Sequence, residues 1–402
     1  MSIRRLMGAA LAVLCLGAII GASCEPAKPP PGEPAPPPPP PQDTPHPPDS
    51  GPPANSPALS VTTNFVPGLT NPWDMAFLSD GTMFFTERPG PVKVRLPNGT
   101  INTIVTPGDV SSGAAAGMMG IAVDPSFASN RFIYTCYTTA NDIRIVKWSV
   151  NLSLNGVVPP GTGTPIVQGI STGGDHFGCR TRFGPDGKLW FTIGDGATGT
   201  WPQDLSVLNG KTMRINSDGS APPDNPFVNA PGDDDRIWTF GHRNQQGIAF
   251  RPGDPAPYVT EHGPDINDEV NHLVKGGNGG WDPVPGYNQS VPMTDLQKFP
   301  GAMLPTWRSG DSFTLAPSGA TFLTTNGNAD WKSWNGALLV VFLKDSKARV
   351  MLLDGSGEVS SATPILEFGT RLRSAVEGPD GNLYISTDVG GGNDAIWKVV
   401  PG

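Results

Sequence analysis

Arg182-Phe183-Gly184-Pro185-Asp186-Gly187-Lys188-Leu189-Trp190-Phe191-Thr192-Ile193-Gly194-Asp195 reads as two short apolar strands joined by a tight turn. Proline presets φ, aspartate bonds to the backbone just ahead of it, and glycine accepts positive φ, so Pro185-Asp186-Gly187 reverses the chain. The unit returns five times. Upstream it appears as Met75-Ala76-Phe77, Asp80-Gly81, Met83-Phe84-Phe85, and as Gly120-Ile121-Ala122-Val123, Asp124-Pro125, Phe132-Ile133-Tyr134. Downstream it appears as Ile248-Ala249-Phe250, Pro252-Gly253-Asp254, Tyr258-Val259-Thr260. Then come Ala320-Thr321-Phe322 with a longer polar link to Leu338-Leu339-Val340, and Ala375-Val376, Pro379-Asp380-Gly381, Leu383-Tyr384-Ile385.

Six such hairpins in residues 58–402 leave roughly 57 residues per unit, the size of a four-stranded blade with its loops. No long stretch carries the 3.6-residue apolar period of a helix. The expectation is an all-β fold, a six-bladed β-propeller, with Leu59–Phe65 or Ile396–Val400 closing the ring. A β-sandwich is the alternative, and it explains the repetition poorly.

The 402 residues are 37% hydrophobic and 16% charged, which fits a globular chain. Glycine (51) and proline (46) are abundant, as many turns between short strands require. A net charge of −9 excludes a sequence-independent grip on nucleic acid, which needs clustered Lys and Arg.

The N-terminal part reads as something other than fold. Arg4 and Arg5 precede an apolar run from Leu6 to Ile20, and Gly21-Ala22-Ser23 lead into Cys24. Charge, length and small-residue end make residues 1–23 an export signal. A cysteine directly after it resembles a bacterial lipoprotein site, with Cys24 lipidated and the domain held on a membrane facing the periplasm or cell exterior. Simple secretory cleavage is the alternative, because Gly21 stands where such sites usually carry leucine. Glu25 to Pro57 holds 17 prolines in 33 residues, so residues 24–57 read as anchor site and disordered, extended spacer. The folded domain is residues 58–402.

Polar residues follow the repeated second strands: Glu87-Arg88, Asp195, Glu261-His262, Lys344 and Asp388. In a propeller, equivalent strand ends gather at one rim of the central channel, so these groups would face one pocket. His176 and Asp195 flank one hairpin, and its folding could set the carboxylate beside the imidazole, an arrangement that orients a general base. His242, His262 and His272 read as structural hydrogen bonders in their loops, and Asp268 and Glu269 as turn charges at the surface. Asp186 and Asp380 are turn residues.

Several segments together resemble the PQQ-dependent sugar dehydrogenases, the family of soluble quinoprotein glucose dehydrogenase, aldose sugar dehydrogenase and sorbosone dehydrogenase-like proteins. They are Asn71-Pro72-Trp73-Asp74 with Thr86-Glu87-Arg88, Gly117-Met118-Met119-Gly120, Asp175-His176 with Asp195, and Leu208-Asn209-Gly210-Lys211 with Asn225-Pro226-Phe227. Gly241-His242-Arg243-Asn244, Glu261-His262-Gly263-Pro264 and Arg371-Leu372-Arg373 complete the set. Each is weak alone, but their order is the family's order across the whole domain. The resemblance implies a six-bladed propeller that oxidises a sugar hydroxyl, hydride passing to PQQ, with an electron acceptor such as a quinone, dye or small redox protein as second partner. It makes His176 the base, Asp195 its support, and Arg243 a cation near the reacting carbonyl. It makes Asn244, Thr314, Lys344, Arg371 and Arg373 contacts to PQQ, cations suiting a tri-acid. The Gly263 and Pro264 carbonyls would hold a calcium that polarises the quinone, and Glu269 with the Gly279 carbonyl would contribute to an additional structural calcium site.

The chain departs from the family at three places. Ala115 stands where the family usually has Gln or Glu touching PQQ, Ser374 follows Arg373 where Asp is common, and Cys179 stands where the better-known members have glycine. Two other functions therefore stay open: a calcium-dependent, lactonase-type hydrolase on the same propeller type, and a carbohydrate- or ligand-binding propeller that has lost PQQ. Cys15 leaves with the signal, so Cys136 and Cys179 remain. In an oxidising compartment an even pair is read as a bridge; separate buried thiols are the alternative.

Overall fold

The computed structural model describes residues 50–113, 115–158 and 163–402. The export signal, Cys24 and most of the proline-rich spacer expected from the sequence lie outside these residues. Among the described residues, 24 strands form six four-stranded antiparallel sheets. Helix is limited there to one turn at Phe127–Asn130 and two 3-10 turns, Trp201–Gln203 and Lys332–Trp334.

Each hairpin of the sequence becomes the first two strands of one blade. The pairs are Pro72–Phe77 with Met83–Glu87, Met118–Val123 with Phe132–Thr138, and Thr181–Phe183 with Leu189–Ile193. The second half repeats this as Gln245–Phe250 with Pro257–Glu261, Pro317–Phe322 with Leu338–Phe342, and Leu372–Glu377 with Leu383–Thr387. First strands of successive blades pack on one another all the way round, the last against the first. This is a six-bladed β-propeller. Leu59–Leu69 is the outer strand of the last blade, hydrogen-bonded to Asp394–Pro401, so both segments expected to close the ring do so as partners.

Most second strands are continuous apolar runs because neighbouring blades cover both of their faces: Met83–Glu87, Leu189–Ile193, Leu338–Phe342 and Leu383–Thr387 are buried at every residue. Their fourth residue ties blades together. The hydroxyls of Thr86, Thr192 and Thr260 donate to the Met119, Gln245 and Ser318 carbonyls of the next blade, at 2.6, 3.3 and 2.6 Å. Close approach also needs the absence of a side chain on the inner strand. A Cβ on Gly120 would lie 2.3 Å from the Cys179 carbonyl oxygen, and one on Gly247 2.3 Å from that of Ser318.

The axis of the ring is filled by Arg180. Its guanidinium pairs with Asp74 at 2.7 Å and donates to the Gln246, Trp73 and Arg373 carbonyls and the Ser374 hydroxyl. It lies over the Trp73 ring at 4.0 Å. One side chain of the third blade thus contacts the first, fourth and sixth. Asp74 also takes two bonds from Arg182, at 2.7 and 2.9 Å, and one from Ser374 at 3.0 Å. Burial alone would raise the Asp74 carboxyl, but Arg180 and Arg182 outweigh it and hold it below its ordinary value. Ser374, unusual by family resemblance, is a hinge of this network rather than part of the cavity wall.

The end of the expected spacer is docked. Ser50 N donates to the Ala362 carbonyl at 3.1 Å, the Thr363 hydroxyl to the Gly51 carbonyl, and Ser333 N to the Asn55 carbonyl. Residues 50–57 therefore lie on the fifth blade, because their backbone carbonyls remain free to accept where proline removes donors.

A disulfide joins Cys136, in the second blade, to Cys179, just before the third, with a Cα separation of 5.6 Å. Cys179 has φ 74°, the left-handed region in which glycine is the natural occupant. The bridge therefore holds a turn that the side chain alone disfavours.

Asp74→Asn should destabilise the chain by about 3–5 kcal/mol, since it leaves the buried Arg180 uncompensated; denaturant unfolding with the melting temperature as a cross-check measures it. The double variant Cys136→Ala/Cys179→Gly opens a 43-residue loop and should lose about 2–4 kcal/mol, visible as a lower midpoint only in the absence of reductant.

Candidate functional site

The loop that precedes the third blade carries His176. Its backbone is left-handed at His176 (φ 56°), Gly178 (φ 63°) and Cys179, a conformation uncommon outside glycine though less so for histidine than for most side chains. The loop lies directly on the strand end at Gly194, where a Cβ would sit 2.1 Å from the His176 carbonyl oxygen. That contact sets Asp195, the next residue, beside the ring: His176 Nδ1 is 2.8 Å from Asp195 Oδ1. Asp195 is fully buried. Its Oδ1 accepts from the Ala197 amide at 2.8 Å, and its Oδ2 from Trp281 Nε1 and the Tyr287 hydroxyl, both at 2.8 Å. With Nδ1 engaged by a carboxylate, Nε2 carries the free lone pair.

His176 lines a cavity of about 550 Å3 at the mouth of the ring. Arg88, Arg243, Arg371 and Arg373 contribute to its wall, with Asp388, Gln246 and Trp73 between them. Arg373 is tied to Asp388 through Nε at 3.1 Å and to Gln246 at 3.1 Å. Arg88 and Arg371 stand 3.9 Å from the same carboxylate. One aspartate among three arginines leaves a positive excess on this side of the cavity. Burial pushes the Asp388 carboxyl up, but Arg373 first and Arg88 after it bring it below the ordinary value.

Arg243 is buried and clamped on its outer side. Nη1 donates to the His262 and Gly263 carbonyls at 3.1 and 2.9 Å, Nη2 to Gln289 Oε1 at 2.6 Å, and its amide to Glu261 at 2.5 Å. Its buried Nε has no partner among the described residues. Gly263 and Pro264 also line the cavity, and Asp268 shapes their loop by accepting from Gly263 N, the Thr314 hydroxyl, Leu315 N and Ala316 N.

Of the residues singled out in the sequence, the structure brings His176, Arg243, Asn244, Gly263, Pro264, Thr314, Arg371 and Arg373 to one cavity, with Asp195 behind His176. Lys344 does not line it: its side chain is exposed, and Leu343 forms the wall there. Glu269 and Gly279 are also outside the wall. Glu269 accepts from Asn271 at 3.1 Å and Thr294 at 3.2 Å, and Gly279 packs on the His242 ring. Ala115 faces the cavity, as its place in the family motif implies.

Two expectations are corrected. Asp268 is not a surface charge but a buried acceptor of four groups, and Glu269 is not a surface turn charge either but a buried residue of the strand Glu269–His272. His242 is the structural hydrogen bonder expected, its Nδ1 meeting Glu261 at 2.9 Å. His262 is one as well, through the Pro317 backbone, but it also lines the cavity, and its buried Nε2 has no partner among the described residues. Burial first, then the charges of Arg243 and Arg373, push its pKa down to about 3. Trp281, Tyr287 and Gln289 had no assigned role in the sequence, since nothing in their spacing announces that a loop from the fourth blade reaches back to the third.

The comparisons with known proteins agree with this geometry. A family model described as glucose/sorbosone dehydrogenase matches residues 69–397. The chain is 31% identical to an aldose sugar dehydrogenase of Escherichia coli, over 83% of this chain and 91% of that one. It is 28% identical to quinoprotein glucose dehydrogenase B of Acinetobacter calcoaceticus, over 80% and 84%. The PQQ-bound aldose sugar dehydrogenase of Streptomyces coelicolor superposes with a TM-score of 0.71 at 27% identity, over 87% of this chain and 100% of the other.

His262 generates a testable consequence. Its folded pKa lies below the ordinary value of about 6.5, so the unfolded chain binds a proton there that the folded chain refuses. Stability from this group is complete above about pH 6.5 and falls as the pH drops toward 3. Histidine NMR should show the His262 ring neutral throughout pH 5–8, and His262→Gln should flatten the acid side of the stability profile.

Proposed function

The chain belongs to the glucose/sorbosone dehydrogenase family, and we propose that it is an exported quinoprotein oxidising a hydroxyl of an aldose or related sugar. The observation that carries this reading is the 2.8 Å His176–Asp195 pair at the edge of a cavity walled by four arginines. PQQ, when bound, supplies the hydride acceptor, and calcium beside it polarises the quinone. The residues present fit these groups. Arg88, Arg371 and Arg373 answer a tri-carboxylate in a cavity of suitable size, with Asn244 and Thr314 on its wall and Lys344 just outside it. A hard cation prefers oxygen, which the Gly263 and Pro264 carbonyls offer; Arg243 uses one lone pair of the Gly263 oxygen and leaves the second. Glu269 and Gly279 are proposed for a separate structural calcium only from family resemblance.

The protein's own part is to position and to move a proton. His176 Nε2 takes the sugar hydroxyl proton, while Asp195 keeps the ring oriented and stabilises the imidazolium that forms. Arg243, held by two carbonyls and Gln289, presents a fixed cation where negative charge grows on the reacting oxygen. Its site is preorganised, so no side chain needs to reorient during the step. A lactonase has no use for several arginines around one cavity, which favours oxidation over hydrolysis. Lipid anchoring at Cys24 and delivery of electrons to a quinone or small redox protein complete the proposal.

Reconstitution of the purified protein with PQQ and calcium, followed by dye reduction on an aldose panel, tests it. His176→Ala should lower turnover by about two to four orders of magnitude while PQQ titration stays near wild type. Arg243→Ala should slow turnover at saturating PQQ, and Arg373→Ala should weaken PQQ binding. Near wild-type turnover of His176→Ala sinks the base assignment. An unmodified protein that binds no PQQ makes the ligand-binding propeller the better reading.

A further inference from the structure

Three side chains of one loop, residues 281–289, reach the catalytic groups from outside the third blade. Trp281 Nε1 and the Tyr287 hydroxyl both donate to Asp195 Oδ2 at 2.8 Å, and Gln289 Oε1 accepts from Arg243 at 2.6 Å. The loop is seated closely: a Cβ on Gly199 would lie 2.0 Å from the Gly286 carbonyl oxygen. The Tyr287 oxygen is also 3.1 Å from His176 Nδ1.

A phenol has one proton to give. Because the Tyr287 proton is used on Asp195, its oxygen can face His176 Nδ1 only with a lone pair. Nδ1 then meets two acceptors, Asp195 Oδ1 and Tyr287 Oη, and must itself carry hydrogen. We propose that Tyr287 is a positioning residue of the sugar oxidation, fixing His176 in the Nδ1–H form and moderating its basicity by dispersing the charge of Asp195. The inference rests on the reading of His176 as the base.

The moderation follows from the Asp195 ligand set. Oδ1 is shared by His176 and the Ala197 amide, and Oδ2 by Trp281 and Tyr287. Each donor other than His176 stabilises the carboxylate and reduces what it offers to an imidazolium. Removing the phenol oxygen takes away a neutral acceptor 3.1 Å from Nδ1 but returns negative charge to the carboxylate 2.8 Å from it, and the shorter, charged contact outweighs the other, so the imidazolium becomes easier to form. Tyr287 is not a competing base or acid. Burial and then Asp195 push its own ionisation far above the working range. The other charged or titratable groups near the ring and Asp195 are Asp175 on its own loop, whose carboxylate accepts the His176 amide at 2.8 Å, Arg243 and His262 of the fourth blade, and the buried Lys211 of the third, whose ammonium burial lowers to about 7 against the pull of Asp204 and Asp195. None of them bonds Asp195 by its side chain, so the substitution leaves their contacts intact.

Tyr287→Phe deletes one oxygen and keeps the ring. The full chain, reconstituted with PQQ and calcium, is assayed for kcat against pH beside wild type, Trp281→Phe and His176→Ala. PQQ affinity is measured by titration, and the His176 ring is titrated by NMR in protein with no PQQ added. The acid limb of kcat in Tyr287→Phe should move up by about half to one pH unit. The NMR titration should move by the same amount, with kcat at neutral pH about tenfold lower and PQQ affinity unchanged within about twofold. Trp281→Phe removes the other donor to the same oxygen and should move the limb in the same direction. An unmoved limb with an unmoved NMR titration, or a downward displacement, overturns the proposal even if kcat falls, since loss of packing alone produces that. If His176→Ala keeps its turnover, the base assignment fails instead, and the NMR displacement then judges the Tyr287–Asp195–His176 coupling by itself.

Discussion

A buried guanidinium on the ring axis is the constraint around which the molecule is organised. Arg180 is excluded from water, so its charge is tolerable only with a carboxylate and a complete set of acceptors around it. Those acceptors come from the first, fourth and sixth blades. They can be gathered only when the ring is closed at the correct radius. Closure requires the glycines of the inner strands, and it brings the threonines of the second strands to the neighbouring carbonyls. Asp74 and Ser374 then stand under the floor of the cavity, and the adjoining residues Trp73 and Arg373 form that floor. The same few contacts therefore set both the fold and the base of the site.

Above this floor the site separates its charges by depth. Asp195 lies buried behind His176 with all its acceptor positions used, and Asp388 is enclosed among arginines. Neither acid is available to a ligand as a free negative group, and with Asp175 the remaining acid on the wall the four arginines dominate what the cavity attracts. His262 stays neutral first because it is buried, and then because a third positive charge beside Arg243 and Arg373 would be unfavourable. A neutral ring among fixed cations can accept or donate a hydrogen bond without adding to the charge, which suits a wall that must recognise anionic and uncharged parts of a ligand together.

The repeat of apolar strand, turn and apolar strand was legible because it depends on local chemistry: turn residues with special φ and strands buried on both faces. His176 and Asp195 were legible for a related reason, since one hairpin joins them and its closure brings them together. Arg88 and Asp388 were visible only as polar strand ends, and their shared cavity follows from the radial geometry of the blades. Tyr287, Trp281 and Gln289 could not be read, because their partners lie in another blade and their loop carries no period or motif. Lys344 differs from the others: the strand end turns Leu343 to the cavity, while the lysine is exposed and not part of its wall. Asp268 and Glu269 were misjudged, and the place of His262 on the cavity wall was missed, because burial is a tertiary property that polarity alone does not reveal.

The pairing of Leu59–Leu69 with Asp394–Pro401 has a consequence in time. A chain made from its N-terminus produces the outer strand of the last blade first and its partner last. Until the C-terminal residues are present, that strand has no ladder to join and exposes an edge able to pair with other chains. Every blade but the last can complete its sheet from consecutive residues. The ring must therefore wait open, and the final event of folding joins residues that are almost the whole domain apart, a non-local step expected to be slow. The last blade cannot lock, and the Arg180 acceptor set cannot be completed, until the C-terminal strands are present.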